Sequence, residues 1–334
     1  MTSPSSDTAS VVERTRPVAP GAAVVAVHFL RTTAAFVLAE EALLLVPAEG
    51  DARRVDIHAG GILCAAATGE KILTGGDDGR VIATDAGGTV ETVARDARRR
   101  WIDRVAPGPD GAVAWSAGKS AFVRTAKGAE RSLDVPSSVG GLAFAPKGFR
   151  LAVAHYGGVS LWFPNAEAAP DVLDWKGSHL GATFSPDGRF LITTMQEPTL
   201  HGWRVADRRN MRMAGYSAKV RSIDWSAGGR WLATAGSEQM ILWPFQSKDG
   251  PMGKNPLMLG AMPSRVAVVA CHPAQDVVAA GYEDGLVLLV RIEDGAEIIA
   301  KRPGKAAVSA LAWDAAGGRL AFGTEDGEAG IVDL

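Results

Sequence analysis

Six histidines, two cysteines and several adjacent acid pairs are the residues of this chain best equipped for chemistry, and their spacing works against most of it. His28, His58, His155, His179, His201 and His272 fall in no HxH or HxxxH pair, so no short motif brings two imidazoles onto one metal ion. A nucleophilic site would need Ser or Cys raised on a strained turn beside a His and a carboxylate, and no GxSxG occurs. Cys64 and Cys271 lie far apart and outside any CxxC; at inward strand positions they read as small buried hydrophobes. Glu40–Glu41, Asp77–Asp78 and Glu283–Asp284 could offer acid–base pairs, but each falls in a polar turn where solvated carboxylates are expected. The glycine clusters GGDDG, HYGG and SAGG sit at hairpin turns and open no helix, so they build no phosphate cradle. The expectation is a chain with no catalytic residues, no metal and no cofactor.

Composition bounds the partners. The chain has 334 residues, 47% hydrophobic and 22% charged, with 39 Gly and 18 Pro; that is globular and rich in turns. A formal net charge of −2 gives no global field toward nucleic acid or an anionic membrane. The start, MTSPSSDTAS, has no apolar run behind a basic segment, so no signal peptide is read. No apolar stretch approaches the roughly 18 residues of a spanning helix. A cytoplasmic location and no membrane contact are expected from these features.

The elements that must carry these residues are repeats. VGGLAFAPKGFRLAVAHYGGVSLWF (139–163), HLGATFSPDGRFLITTMQEPTLHGWR (179–204) and VRSIDWSAGGRWLATAGSEQMILWPF (220–245) share one plan. Each has an alternating strand, a Pro/Asp/Gly turn, an apolar strand, a short polar turn and a third strand near Trp. Alternation at period two marks half-buried strands, and SPDG-like segments favour reverse turns. Anchored on the residue that ends the first strand, the copies fall at Phe29, Ala67, Pro107, Phe144, Phe184, Trp225, Cys271 and Trp313. Five residues before each anchor stand Val24, Ile62, Ile102, Val139, His179, Val220, Val266 and Val308, aliphatic but for His179.

Four strand-like segments per period of about 40 residues are the mark of a propeller blade. The expectation is therefore all-β: a single β-propeller of four-stranded antiparallel blades over 11–334, after a disordered tail at 1–10. Eight blades are expected, with seven as the alternative. The last copy stops at EAGIVDL with three strands, and VVERTR (11–16) is expected to supply its outer strand, pairing the chain ends and removing an exposed edge. PFQSKDGPMGKNP (244–256) reads as an inserted polar loop.

These features resemble the WD-repeat family, as a divergent member, over nearly the whole chain. Third strands end in Trp162, Trp203 and Trp243, and the turns GGDDG, GYEDG and GTEDG place Asp78, Asp284 and Asp326 at the family's turn aspartate. The family's Gly-His histidine position holds Pro20, His58, Arg98, Val135, Trp175, Tyr216, Met262 and Gly304. Only His58 keeps the family residue, and with Thr74 and Asp78 it is expected to form a structural polar network. The resemblance implies a rigid, non-catalytic scaffold that binds protein partners. A propeller enzyme using a metal or acids at the central channel is the alternative, and nucleic-acid binding a further one.

In such a fold the loops leading into first strands share a face with those between second and third strands. Aromatic and Arg residues are enriched at interface centres, so Trp101, Arg100, Tyr156, Lys219, Arg221, Arg265 and Tyr282 are expected to face a protein partner, an acidic segment suiting their charge. The propeller is expected to be monomeric on its own.

Overall fold

The computed structural model of the chain describes residues 9–334. Short antiparallel strands fill it, and among the described residues there is no α-helix, only three one-turn 3-10 segments; none could cross a membrane as a helix. The second and third strands of a repeat are its most deeply buried, first strands such as Ile62–Ala67 being mostly half-buried. In the first copy Thr33–Leu38 and Ala42–Val46 are buried throughout, while Arg53–Asp56 at the edge is mostly exposed. Strands covered on both faces become continuous apolar runs, as TAAFVL and ALLLV are; an edge strand keeps its charges.

The strands form seven hydrogen-bonded sheets, over residues 24–56, 62–95, 104–134, 141–213, 223–259, 266–301 and 308–333. This is a β-propeller of antiparallel blades, and its sheet count corrects the expectation of eight. Eight copies of the sequence pattern are distributed over seven sheets because the fourth and fifth share one, which has six strands. Two long strands join them. Leu151–Trp162 pairs through residues 151–154 with Gly141–Phe144 and through 158–161 with 171–174. Asp171–Phe184 continues past that ladder to pair with Phe190–Met195. Gly177, at φ 133°, allows the chain to swing between ladders where a side chain would resist it.

The chain divides into two compact units, one made of the chain up to Val55 together with Tyr216–Leu334, the other of Asp56–Gly215. In the first unit Thr15–Val18 pairs antiparallel with Ala329–Val332, so the chain ends do share a sheet. The strand is not the expected 11–16. Ala9–Ser10 first pairs parallel with Ile298–Ile299, Val11 N donates to Ile299 O at 2.9 Å, and Val12–Arg14 makes a 3-10 turn. That anchorage shifts the outer strand toward the C-terminus. It also corrects the tail expectation for residues 9 and 10; residues 1–8 lie outside the described residues. Pro17, which has no N–H, stands on the edge strand, where the ladder tolerates it.

Apolar clusters lie between neighbouring sheets. In the first unit Met240, Leu242, Val278, Leu288 and Val290 join the sheets of 223–259 and 266–301, and Phe36, Leu38, Ala321 and Ile331 join those of 24–56 and 308–333. In the second unit Leu73, Val81, Ile102 and Trp115 play the same part. Full burial of each such side chain stabilises by about 1.5–3 kcal/mol, so sheet-to-sheet packing holds the loops that follow in place.

Candidate functional site

The loops rest on polar networks inside the blades, and each is built differently. His58 Nδ1 lies 3.0 Å from Asp78 Oδ1 and Nε2 lies 2.9 Å from Thr74 Oγ1. A carboxylate only accepts, so Nδ1–H donates; burial pushes the His58 pKa down, Asp78 partly offsetting it, and the neutral ring's Nε2 then accepts from Thr74. Burial works against the Asp78 charge, but hydrogen bonds from Ala59 N, His58 and Arg80 outweigh it and hold the carboxyl well below its usual range. In a second repeat, Trp243 Nε1–H donates to the Tyr216 hydroxyl at 2.7 Å, which reaches Thr234 at 2.9 Å, and Thr234 donates to Ile241 O at 2.7 Å. In a third, His179 Nε2–H donates to Trp175 O at 3.0 Å, with Thr193 Oγ1 2.8 Å from Nδ1. In a fourth, the buried Lys301 ammonium donates to Gly285 O and Arg302 O and pairs with Glu328.

In the second unit, Asp96 shapes the arginine loop. Its Oδ1 accepts from Arg98 N at 2.9 Å and Arg100 N at 3.0 Å. Its Oδ2 takes the Arg100 guanidinium at 2.7 Å, which also donates to Ala117 O and stands over the Phe122 ring. Arg100 is thus a brace for the loop, most of its donors being spent on Asp96, Ala117 O and Ser120, which corrects its placement as a side chain free to face a partner. Trp101, the next residue, is 61% exposed.

In the first unit a cleft of about 580 Å³ is lined by Lys219, Arg221, Arg265 and Lys305, with Glu283 and Glu325. Arg265 is engaged by Glu283 at 3.0 Å. Arg221 and Lys305 are exposed, and among the described residues no carboxylate pairs with either. Tyr282 corrects another expectation: it is fully buried, its hydroxyl donating to Gly260 O at 2.5 Å. The strand Val277–Tyr282 runs through it, so its ring belongs to the core and not to the following turn.

Tyr156, in the second unit, is 54% exposed. With Trp175 and Glu197 it lines a pocket of about 370 Å³. The half-buried Trp175 ring stacks on His201, centroids 3.9 Å apart and 15° from parallel. His201 is fully buried, with neither ring nitrogen hydrogen-bonded. Burial, with the charges of His179 and Arg212, lowers its pKa to about 3.

The acid pairs are taken up by structure. Glu40 and Glu41 face Arg54, Asp78 holds His58, and Asp284 Oδ1 accepts from Leu286 N. Burial raises the Cys64 thiol to about 12 and Cys271 well above its ordinary value. Among the described residues no group of three His, Cys, Asp or Glu could hold a metal ion. Sequence reasoning missed Tyr216, His179 and Lys301 as network centres. His179 had left a signal, being the one polar residue among the eight aligned first-strand positions.

The profile of the WD domain, G-beta repeat, matches residues 209–243, and that of the anaphase-promoting complex subunit 4 WD40 domain matches 268–334. Telomerase protein component 1 of Rattus norvegicus is 27% identical over 200 residues, 58% of this chain and 7% of that protein; that of Mus musculus is 26% identical over the same shares. The chain thus spans only a small part of those relatives' length. Among solved structures, the computationally designed Ika8 protein superposes with a TM-score of 0.76 at 16% identity, over 95% of this chain and 98% of that one. That likeness shows the fold.

Proposed function

We propose that this chain, whose repeats match WD-repeat profiles over residues 209–243 and 268–334, is a non-catalytic protein-interaction scaffold whose first-unit cleft receives an acidic segment of a partner protein. Fold alone does not fix a function; the reading is carried by the cleft of Lys219, Arg221, Arg265 and Lys305. Arg265 is neutralised by Glu283, whereas Arg221 and Lys305 keep their charge for a ligand. Carboxylates entering there would exchange water for charge-assisted hydrogen bonds, the stronger kind, and the surrounding charge would speed encounter more than it tightens the complex. Trp101 offers a separate aromatic anchor in the second unit, of the type that dominates interface energetics.

The test is capture of the native partner by the wild-type chain and by Arg221→Glu with Lys305→Glu. Charge reversal should abolish capture with the melting temperature unchanged, since both side chains are exposed. Equal capture by the reversed protein overturns the proposal. Steep loss of affinity for an oligonucleotide with added salt, with none for the partner peptide, would instead mark a phosphate-binding surface.

A further inference from the structure

We propose that the second unit carries a separate pocket for an alkylated ammonium group, such as the side chain of a methylated lysine, walled by Tyr156 and Trp175 with Glu197 supplying charge. The site is independent of the acidic-segment reading: it lies in the other unit and takes the opposite charge. The three residues line one pocket of about 370 Å³. Aromatic faces attract cations through the ring quadrupole, most strongly when the cation is poorly hydrated, and alkylated ammonium groups are of that kind.

The walls are built in advance. Trp175 leans on His201 over one face while its carbonyl is held by His179. The His201 ring behind it is neutral and unbonded, so it contributes packing and no opposing charge. Tyr156 is pinned at both ends of its backbone: its N–H donates to Ser137 Oγ at 2.8 Å, and its carbonyl faces His155 Nδ1 at 2.9 Å. A Trp175 ring already stacked and a Tyr156 backbone already held lower the ordering cost of binding. Among the described residues no lysine or arginine of the chain stands over either ring, and no side-chain hydrogen bond or ion pair engages the Glu197 carboxylate. Gly177 also lines the pocket and leaves room beside the acid; a Cβ there would meet Met195 Cε at 2.6 Å and Glu197 Oε2 at 3.6 Å. Lys176 also lines the pocket and opposes a cation, which gives the proposal a sign that can be tested.

The experiment titrates the full chain with N-acetyl-trimethyllysine amide and with its neutral isostere carrying carbon in place of nitrogen, by calorimetry. Indole NMR of the nine tryptophans locates the site, Trp175 being assigned by its loss in Trp175→Phe. The ammonium compound should bind and move the Trp175 signal, and the isostere should do neither at equal concentration. Tyr156→Ala should weaken binding roughly three- to tenfold and Glu197→Gln should weaken it too, while Lys176→Met should tighten it; none of these variants disturbs a buried contact. Arg221→Glu with Lys305→Glu should leave it unchanged. Equal binding of the isostere, no binding of the ammonium compound, or tightening by Glu197→Gln with weakening by Lys176→Met would each overturn the proposal.

Discussion

The Tyr216 hydroxyl lies 2.9 Å from Thr234 Oγ1, as the His58 Nε2 lies 2.9 Å from Thr74 Oγ1. A phenol does in one repeat what an imidazole does in another. Each ties the loop ahead of a first strand to the threonine of a second strand, so the contact survives although the residue type does not.

Tyr216→Phe should therefore destabilise the protein by about 1–3 kcal/mol, because it leaves both Trp243 Nε1–H and Thr234 short of a buried partner. Urea unfolding of the variant checks this, and stability within 0.5 kcal/mol or so of wild type, the scale of an ordinary surface change, would contradict it.

Tyr282 and Trp101 should separate cleanly. Tyr282→Phe removes the buried hydrogen bond to Gly260 O and should lower stability by about 1–2 kcal/mol without changing partner affinity. Trp101→Ala, at an exposed site, should leave the melting temperature alone and weaken the partner complex. Thermal melts beside binding titrations decide both.

How much of this was legible in the sequence depended on what carried each feature. The strands could be read because aliphatic residues recur from Val24 to Val308 at fixed distance from their anchors. The merging of two repeats could not, since Gly177 reads as a turn while the backbone extends through it. Tyr282 was misplaced by the GYEDG turn, although Val278, Ala280 and Tyr282 alternate onto one face and all three are buried. Arg100 shows the limit of reading charge: whether a guanidinium is free depends on a partner, here Asp96, whose side-chain direction the turn sets. The polar networks were legible only at His58, because Tyr216 and Lys301 fill comparable roles with other chemistry.

Acid should destabilise the first and second units through buried imidazoles. Burial lowers His28 to about 4 and His201 to about 3, so the unfolded chain, with histidine near 6.5, binds protons more readily. Their contribution is complete above about pH 6.5 and is lost as pH falls toward those lowered values. Asp224 has the opposite sign: burial raises it to about 6, so its contribution is present below about pH 4 and lost as pH rises through 6. Urea midpoints between pH 4 and 7.5 should fall less steeply toward acid in His201→Phe and more steeply in Asp224→Asn. Unchanged slopes in both variants would contradict these assignments.

The most direct test of the scaffold reading is fluorescence anisotropy of a labelled glutamate-rich peptide titrated with the wild-type chain and with Arg221→Glu plus Lys305→Glu. Saturable binding to wild type, displaced by unlabelled peptide, is expected, with a loss of at least about tenfold, the equivalent of roughly 1.4 kcal/mol, in the charge-reversed protein. Equal affinity for both proteins, or no binding to wild type at low salt, would contradict the scaffold reading.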